Sequence, residues 1–417
     1  MEWDRYGFLV PKLDDSFDDM AVKVCPFNPA PEKEVHDEDK LGDIFLQESQ
    51  YKDARIGRYE NIYVGYAVEY RGISSSGGIA TYIFEQLLKQ GIVQHLFIVK
   101  ELNGSYAYQW FSDAGKIKEI SKTRYIPVTL EQLFREIDIT EGKIAVSGVA
   151  CFIKAVRLKQ YYYPHLKEKI PFLAGIICGG LKSRFFSEYL AQKSGIEGTY
   201  KRQEYRIKDL KSTASDYSFG AFDKKDEFHQ IKMRTLGDMW GTGLFKNNAC
   251  DFCDDVTTEL ADISLGDAWL QPYVNDGAGT SVIVVRSKLA GNLINEGIKD
   301  SSLSVEKLSL ERLKASLEGS LKHRQKATAY RIKLKRKTQS VFPQKRERLF
   351  QHIPIEFKLV QKLRVQLREK SLLSWEKETD ARQFDNDMAP LKEKLALKTK
   401  LYHYIQRIKG RLGIKEI

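Results

Sequence analysis

The sequence lacks any long apolar run, and this limits where the protein can work. Of its 417 residues, 42% are hydrophobic and 29% are charged. No stretch approaches the roughly 18 to 20 apolar residues that a membrane-spanning helix needs. The start, from Met1 to Asp4, has neither the positive charge nor the apolar run of a secretory signal peptide. We therefore expect a cytoplasmic protein that does not cross a bilayer.

Cysteine is scarce, which argues against a fold held together by disulfides. The five cysteines, an odd number in a long chain without a signal peptide, leave metal binding or redox chemistry as the informative uses of the thiols. The seven histidines show no ligand-like pairing, and no general acid or base can be assigned. The length allows two or three domains of ordinary size.

The excess of positive charge is concentrated at one end of the chain. The net charge is +11, yet residues 321–417 hold 26 Lys and Arg against 10 Asp and Glu, a net charge of +16. The other 320 residues therefore carry a net charge of −5. A localised excess of this kind marks an interaction surface more often than a diffuse one does.

Alternating strand and helix patterns predict an α/β fold. A buried strand pattern at 61–68 is followed by a polar turn, by apolar residues at helical spacing as far as Gly91, and by a strand at 93–99. A similar unit runs from 143 to 158, and a further strand at 172–178 precedes two glycines. Such alternation favours a mixed or largely parallel sheet with flanking helices. Beyond about Ser302 the apolar spacing is predominantly helical.

Two loops rich in serine and glycine are candidate phosphate sites. The first lies between a strand and a helix, where exposed backbone N–H groups and the helix dipole favour an anion. The second precedes a buried strand pattern at 281–285. Serine and glycine also form ordinary turns and caps, and neither loop is a GxGxxG motif or a P-loop. The candidates are Ser74, Ser75, Ser76, Gly77 and Gly78 in the first loop, and Gly279, Thr280 and Ser281 in the second.

Four cysteines occupy positions from which they can converge. Cys250 and Cys253 form a CxxC, and Cys151 and Cys178 each lie at the end of a predicted strand. Because the carboxyl ends of parallel strands share one sheet edge, the four thiols can meet there. Four thiolates suit either a tetrahedral zinc or a 4Fe-4S cluster, and the spacing does not choose between them. A lone CxxC also occurs as half of a zinc knuckle or as two buried thiols.

Several motifs resemble the coenzyme F420 hydrogenase/dehydrogenase beta-subunit family, and their order along the chain agrees with that family. The most specific block is Cys-Asp-Phe-Cys-Asp-Asp at 250–255, continuing to Ala-Asp-Ile-Ser-Leu-Gly-Asp-Ala-Trp at 261–269. The other motifs are Ser-Ser-Gly-Gly at 75–78, Gly-Val-Ala-Cys at 148–151, Gly-Ile-Ile-Cys-Gly-Gly at 175–180 and Tyr-Arg-Ile-Lys at 205–208. The resemblance covers residues 7–286, about two thirds of the chain.

The resemblance implies an iron–sulfur flavoprotein oxidoreductase with FAD and one 4Fe-4S cluster. Such a protein would pass electrons between a ferredoxin-like or other redox protein and an acceptor such as coenzyme F420. By the same resemblance, the two Ser/Gly loops would lie near the flavin. Lys182, Arg206 and Asp267 are further candidates for contact with the cofactor, although basic residues on strands are often simply solvated. The cluster ligands implied by the resemblance are Cys151, Cys178, Cys250 and Cys253.

The amino terminus departs from the family pattern. Many relatives begin with a ferredoxin-like module, of which residues 1–58 resemble a relic. Asp15, Asp18 and Ala21 stand where a CxxCxxCxxxCP run would have its first three thiols, so that Cys25 alone cannot hold a cluster. A separate ferredoxin could supply the lost relay. The loss also supports a rival hypothesis, a redox-inactive or zinc-stabilised assembly or binding factor in bacterial exopolysaccharide biosynthesis.

Four parts are expected along the chain. They are a degenerate ferredoxin-like segment at 1–58, the family's N-terminal domain at 59–130, its C-terminal iron–sulfur/flavin domain at 131–330 and a basic helical extension at 331–417.

The basic extension has three candidate uses, namely docking of a partner protein, contact with an anionic membrane surface and binding of nucleic acid. The plain alternative is a set of solvated helices with no ligand. Nucleic acid is the weakest, since no nucleic-acid-binding motif accompanies the charge. Some bacterial relatives are associated with exopolysaccharide assembly at the inner membrane face, and peripheral contact there is the preferred hypothesis.

Overall fold

The computed structural model describes residues 1–12, 19–338 and 341–412 of the chain. Within these ranges the strands are Glu2–Trp3 (β1), Leu9–Val10 (β2), Tyr51–Asp53 (β3), Gly57–Tyr59 (β4), Asn61–Ala67 (β5), His95–Leu102 (β6), Ser105–Phe111 (β7), Ile144–Val149 (β8), Phe172–Ile176 (β9), Lys201–Ile207 (β10), Ser218–Phe222 (β11), Phe228–Lys232 (β12), Ile263–Asp267 (β13), Ser281–Val285 (β14) and Leu303–Lys307 (β15).

The α-helices of the same ranges are Asp19–Lys23 (α1), Glu38–Phe45 (α2), Ile79–Lys89 (α3), Glu131–Glu136 (α4), Ala150–Tyr162 (α5), Leu166–Lys169 (α6), Arg184–Lys193 (α7), Lys288–Lys299 (α8), Leu310–Ser316 (α9), Glu318–Leu321 (α10), Thr328–Lys335 (α11), Ile355–Lys377 (α12) and Ala381–Arg411 (α13). Short 3-10 turns lie at Ala114–Ile120, Met233–Leu236, Asn248–Phe252, Tyr273–Asn275 and Glu347–Leu349, and a π-helical turn lies at Lys322–Lys326.

Two predicted positions of the degenerate ferredoxin-like segment, Asp15 and Asp18, lie outside the described residues. Ala21 lies within α1. Cys25 follows that helix, and its backbone N–H donates to the carbonyl of Val22 at 3.1 Å.

A mixed sheet of eight strands forms the centre of the fold, in the order β15-β5-β14-β13-β9-β8-β6-β7. The neighbours among β13, β9, β8 and β6 pair in parallel, and the other neighbours pair antiparallel. All five residues of β14 are buried, and the last four are the β-branched Val and Ile expected in the middle of a sheet. The predicted α/β class with a mixed sheet and flanking helices is confirmed.

Helices cover both faces of this sheet. The side chains of Ala145 and Val146, neighbours in β8, pack on opposite faces of the sheet because successive residues of a strand point to opposite sides. On one face lies α3, whose buried Ile79, Tyr82 and Ile83 recur at helical spacing, together with α8. On the other face lie α2 and α5.

Strand direction gathers the candidate sites at one edge of the sheet. β8 and β9 are parallel to β13, so the carboxyl ends of all three strands share this edge. β14 runs antiparallel to both β13 and β5, and its first residue, Ser281, pairs with Asp267, the last residue of β13. The loop that follows β5 therefore also opens at this edge.

A second core joins the antiparallel sheet β10-β11-β12 to the carboxyl-terminal helices. Trp375 of α12 is fully buried, with its ring centroid 5.7 Å from that of Tyr189 and 5.6 Å from that of Phe384. Its indole N–H donates to Glu188 Oε2 at 2.9 Å. The hypothesis that the extension consists only of solvated helices is therefore wrong for α12 and the first half of α13, because both contribute side chains to this core.

In the part of the chain that the structure describes, no helix combines the length and the apolar composition that crossing a membrane requires.

We expect Trp375→Ala to lower the free energy of unfolding by about 3 to 5 kcal/mol, because it leaves a cavity and removes the partner of Glu188. Leu373→Ala, at a half-exposed position of the same helix, should change it by about 0.5 kcal/mol or less. Chemical denaturation of the full chain measures both. Equal midpoints for the two variants would contradict the packing of α12 on the second core.

Candidate functional site

Four thiols face one another at the carboxyl edge of the central sheet. Cys151 lies in the first turn of α5, and Cys178 lies two residues beyond β9. Cys250 lies in the turn Asn248–Phe252, and Cys253 follows it. All four are free and partly buried. Burial raises the pKa of the Cys151 thiol well above its usual range, and Cys253, Cys250 and Cys178 raise it further by charge repulsion.

Backbone N–H groups point at two of the sulfurs. Gly180 donates to Cys178 Sγ and Leu181 donates to Cys250 Sγ, both at 3.2 Å. Burial raises the pKa of the Cys250 thiol to about 11, against the opposing charge of Lys246. A cation bound among these sulfurs would take the place of their protons, as thiol ligands of metals require.

The four thiols form an all-sulfur set of potential metal ligands. Among the described residues, the group of three or more potential ligands whose atoms lie within 4.8 Å of one another is Asp223, Glu227 and His229. A tetrahedral zinc, with Zn–S bonds of about 2.3 Å, would bring its sulfurs to about 3.8 Å from one another. A set of four thiol ligands suits a 4Fe-4S cluster as well as a tetrahedral zinc.

A buried arginine lies directly against the sulfurs. Arg324, in the π-helical turn Lys322–Lys326, donates to Cys253 Sγ and to the carbonyl of Asp255, both at 2.6 Å, and also to the carbonyl of Cys178. Burial opposes its charge, yet Cys253, Cys178 and Asp255 hold the pKa of Arg324 above its usual range. A permanent positive charge therefore adjoins the thiol site.

Two acidic residues of the cysteine segment (residues 250–255), Asp251 and Asp254, are buried and paired with cations from later in the chain. Asp251 lies 2.8 Å from Nε of Arg368, and Asp254 lies 3.2 Å from Nε of Arg346. Arg346 also binds Glu259 through both terminal nitrogens, at 2.7 and 2.9 Å. Although burial disfavours its charge, Glu259 and Asp254 hold the pKa of Arg346 well above its usual range. These pairs offset the cost of burying Asp251 and Asp254, whereas burial still raises the pKa of Glu259 to about 8.

The two Ser/Gly loops lie side by side. The backbone N–H of Gly77 donates to Ser281 Oγ at 3.1 Å, and Ser76 Oγ donates to the carbonyl of Thr280 at 3.3 Å. Gly78 precedes α3 with a φ of +80°, which glycine adopts without strain.

Cationic side chains border these loops, and one of them, Arg71, is paired with Asp276 at 2.5 Å. Lys208 Nζ donates to the carbonyl of Ser76 at 2.7 Å, and Arg71 Nε donates to the carbonyl of Gly279 at 2.9 Å. Burial, together with the charges of Arg71, Lys122 and Arg206, lowers the pKa of Lys208 to about 8. Such clustering of cations favours an anionic ligand.

Serine hydroxyls of the first loop differ in their partners. Ser75 Oγ accepts the backbone N–H of Thr123 at 2.9 Å. Ser74 Oγ is buried without a hydrogen-bond partner among the described residues. A buried hydroxyl of this kind fits a site for a phosphate-bearing cofactor.

The other predicted cofactor contacts, Arg206, Asp267 and Lys182, lie in two different parts of the structure. Arg206 and Asp267 form a two-point ion pair, at 2.8 and 2.9 Å, beside the Ser/Gly loops. Lys182 is not brought to these loops, because its buried amine donates to the carbonyls of Met239 and Leu244 at 2.7 and 2.6 Å. Burial lowers the pKa of Lys182 to about 7.

Aromatic side chains connect the thiol site with the Ser/Gly loops. Trp240 packs on Gly179, where a Cβ would lie 3.2 Å from the indole ring. Its indole N–H donates to the Tyr217 hydroxyl at 3.4 Å. The Arg206 guanidinium lies 4.7 Å from the centroid of the Tyr217 ring. The two candidate sites therefore lie on either side of one aromatic pair.

Sequence reasoning missed the arginines that contact the cysteine segment. Each lies beyond the range of the family resemblance, so no motif pointed to it. The one available signal was electrostatic, since an acidic main body and a basic tail are complementary. The missed residues are Arg324, Arg331, Arg346 and Arg368.

Two family models match the chain, and both describe the beta subunit of coenzyme F420 hydrogenase/dehydrogenase. The model of its amino-terminal part matches residues 62–135. The model of its carboxyl-terminal part matches residues 141–311. Together they cover more than half of the chain.

Curated proteins of known description are similar to the chain. The chain is 24% identical over 263 residues to the coenzyme F420-dependent sulfite reductase of Methanocaldococcus jannaschii, and the match covers 58% of this chain but only 38% of that protein. It is 23% identical over 254 residues to the coenzyme F420 hydrogenase subunit beta of Methanosarcina barkeri, covering 59% of this chain and 79% of the relative. The protein of the same description from Methanococcus voltae is 28% identical over 184 residues, covering 41% of this chain and 59% of the relative.

A solved structure shares the fold. A chain of the F420-reducing [NiFe] hydrogenase complex from Methanosarcina barkeri superposes with a TM-score of 0.53 at 17% sequence identity. The match covers 71% of this protein and 99% of that chain. Both family models, the motifs and the fold agree, and the protein belongs to the coenzyme F420 hydrogenase/dehydrogenase beta-subunit family.

Proposed function

We propose that this protein is an iron–sulfur flavoprotein oxidoreductase that passes electrons between a redox protein and an acceptor such as coenzyme F420. The observation that carries the proposal is the group of four partly buried thiols beside a cationic Ser/Gly site at one sheet edge. The names of the relatives, a coenzyme F420 hydrogenase subunit and a coenzyme F420-dependent sulfite reductase, support the class of reaction.

One 4Fe-4S cluster would be held by the four thiols, namely Cys151, Cys178, Cys250 and Cys253. When bound, it supplies one-electron transfer. The backbone N–H groups of Gly180 and Leu181 orient two of the sulfurs, and Arg324 balances the negative charge of the thiolates.

FAD would lie against the two Ser/Gly loops, where it supplies hydride transfer and single-electron steps. Lys208 fixes the first loop through the carbonyl of Ser76, and Arg71 fixes the second through the carbonyl of Gly279. Their charges favour the phosphates of the cofactor. The buried Ser74 hydroxyl offers a donor at the same place.

A separate redox protein would exchange electrons with the cluster. At 1–58 the chain has a single cysteine, Cys25, so this segment cannot hold a cluster relay of its own. A ferredoxin-like partner fits this requirement.

The first test compares wild type with the Cys250→Ser/Cys253→Ser double variant after anaerobic purification. We expect iron, sulfide and flavin in the wild type, with a brown visible spectrum. In the double variant the iron should be lost while flavin remains, because the Ser/Gly loops do not involve these cysteines. Metal, sulfide and flavin analysis with visible spectroscopy measures this.

The matched variant Lys208→Met should show the opposite pattern, with flavin affinity lowered about tenfold and iron retained, because one charge-assisted hydrogen bond is lost. A wild-type protein that stays colourless after reconstitution, or that holds only zinc, would overturn the redox proposal. The zinc-stabilised assembly factor would then be the better hypothesis.

A further prediction concerns Arg324, which we expect to set the reduction potential of the cluster. In Arg324→Gln the positive charge beside Cys253 Sγ is lost, so adding an electron becomes less favourable and the midpoint potential falls. Arg324→Lys, which keeps the charge, should restore part of the shift. Redox titration followed by electron paramagnetic resonance measures the potential, with iron content as the control. An unchanged potential at full iron content would refute this role.

A further inference from the structure

The carboxyl-terminal part of α13 exposes a continuous apolar stripe. Its members recur every three or four residues, which places them on one face of the helix. Their exposed fractions run from 39% for Ile408 to 68% for Leu412. Scattered exposed apolar residues are ordinary, but five in one line mark an interaction surface. The stripe consists of Leu397, Leu401, Tyr404, Ile408 and, immediately after the helix, Leu412.

The stripe is distinct from the face that α13 uses for packing. Met388, Leu395 and Tyr402 are buried in the second core, and the ring of Tyr402 stacks on that of Phe357 in α12 at 4.7 Å. At 100° per residue, the stripe lies more than a quarter turn around the helix from this buried face. Intramolecular packing therefore accounts for one face of α13 and leaves the stripe exposed.

Basic side chains border the stripe. Lys400, Arg407 and Arg411 are all exposed and lie along one side of it. Over residues 391–412 there are seven Lys and Arg and one Glu. An apolar face edged by basic residues is the pattern of helices that lie in the interface of an anionic membrane.

The apolar surface continues onto the neighbouring helix. Lys409 of α13 lies 3.3 Å from Glu356 of α12, which places the first turn of α12 beside the end of α13. Ile355 and Leu359, on either side of Glu356 in the chain, are also exposed. This enlarges the apolar area that a planar surface could cover.

We propose that the stripe of α13, with its basic border, binds the surface of an anionic lipid membrane. A second copy of the chain fits less well, because pairing two such faces would oppose clusters of like charge. Anionic headgroups match the basic border, and the acyl boundary accepts the apolar side chains. The proposal confines the predicted membrane contact of 331–417 to the last part of α13 and the start of α12, and it does not depend on the redox proposal.

Vesicle flotation of the full-length protein tests this surface. We expect binding to phosphatidylglycerol-containing vesicles, much weaker binding to pure phosphatidylcholine, and release at high salt. Two variants should each lower binding at least tenfold, Leu401→Ser/Ile408→Ser by removing apolar contacts and Lys400→Glu/Arg407→Glu by reversing charge. The matched control Ile139→Ser/Leu210→Ser alters two exposed apolar residues elsewhere and should bind like the wild type.

Unfolding temperatures of all variants, measured in parallel, show whether a loss of binding comes from unfolding. Binding that is equal for wild type and both stripe variants would overturn the proposal. It would also be overturned if vesicles are not bound and sedimentation shows self-association that Leu401→Ser/Ile408→Ser abolishes. The stripe would then belong to an interface between two copies of the chain.

Discussion

The ion pairs between the buried acidic residues of the cysteine segment and later arginines are the interaction on which the site depends. Arg346 binds Asp254 and Glu259, and Arg368 binds Asp251, all out of contact with bulk water. A carboxylate buried without a partner costs several kcal/mol, so the segment at 250–255 requires these cations to adopt its conformation. The carboxyl-terminal extension is thus part of the site rather than an addition to the fold.

This constraint also shapes the chemistry available to the thiols. Arg324 brings a permanent positive charge to Cys253, while Asp251 and Asp254 are already neutralised by other cations. The charges of two of the three acidic residues of the motif are therefore already paired. Positive charge near thiolates favours ligation and eases reduction of a cluster.

The direction of the strands explains why two chemically different sites are neighbours. Cys151, Cys178 and Asp267 all follow or end strands that run in one direction, so they emerge at one edge. Trp240 and Tyr217 fill the space between the thiols and the Ser/Gly loops. The surfaces of the extension have different environments. α12 and one face of α13 stabilise the second core, while another face of α13 remains exposed.

The sequence by itself determined the features that depend on local pattern. Hydrophobic periodicity indicated the strands and helices of the α/β fold, and because Cys151 and Cys178 follow strands, their convergence could be inferred from sheet geometry alone. The turn that ends at Gly78 could also be predicted, because a positive φ at this position favours glycine whatever the rest of the fold is.

Only the tertiary structure decided which charged groups meet. Lys182 stands close in sequence to Cys178, yet its amine binds the carbonyls of Met239 and Leu244 instead of reaching the Ser/Gly loops. Arg324 and Arg346 belong to a segment whose composition indicated a solvent or ligand surface, yet both are buried against the cysteine segment. The physical reason is that the charges of a sequence show which regions are complementary but not which two groups meet, because that is set by the surfaces that folding brings together.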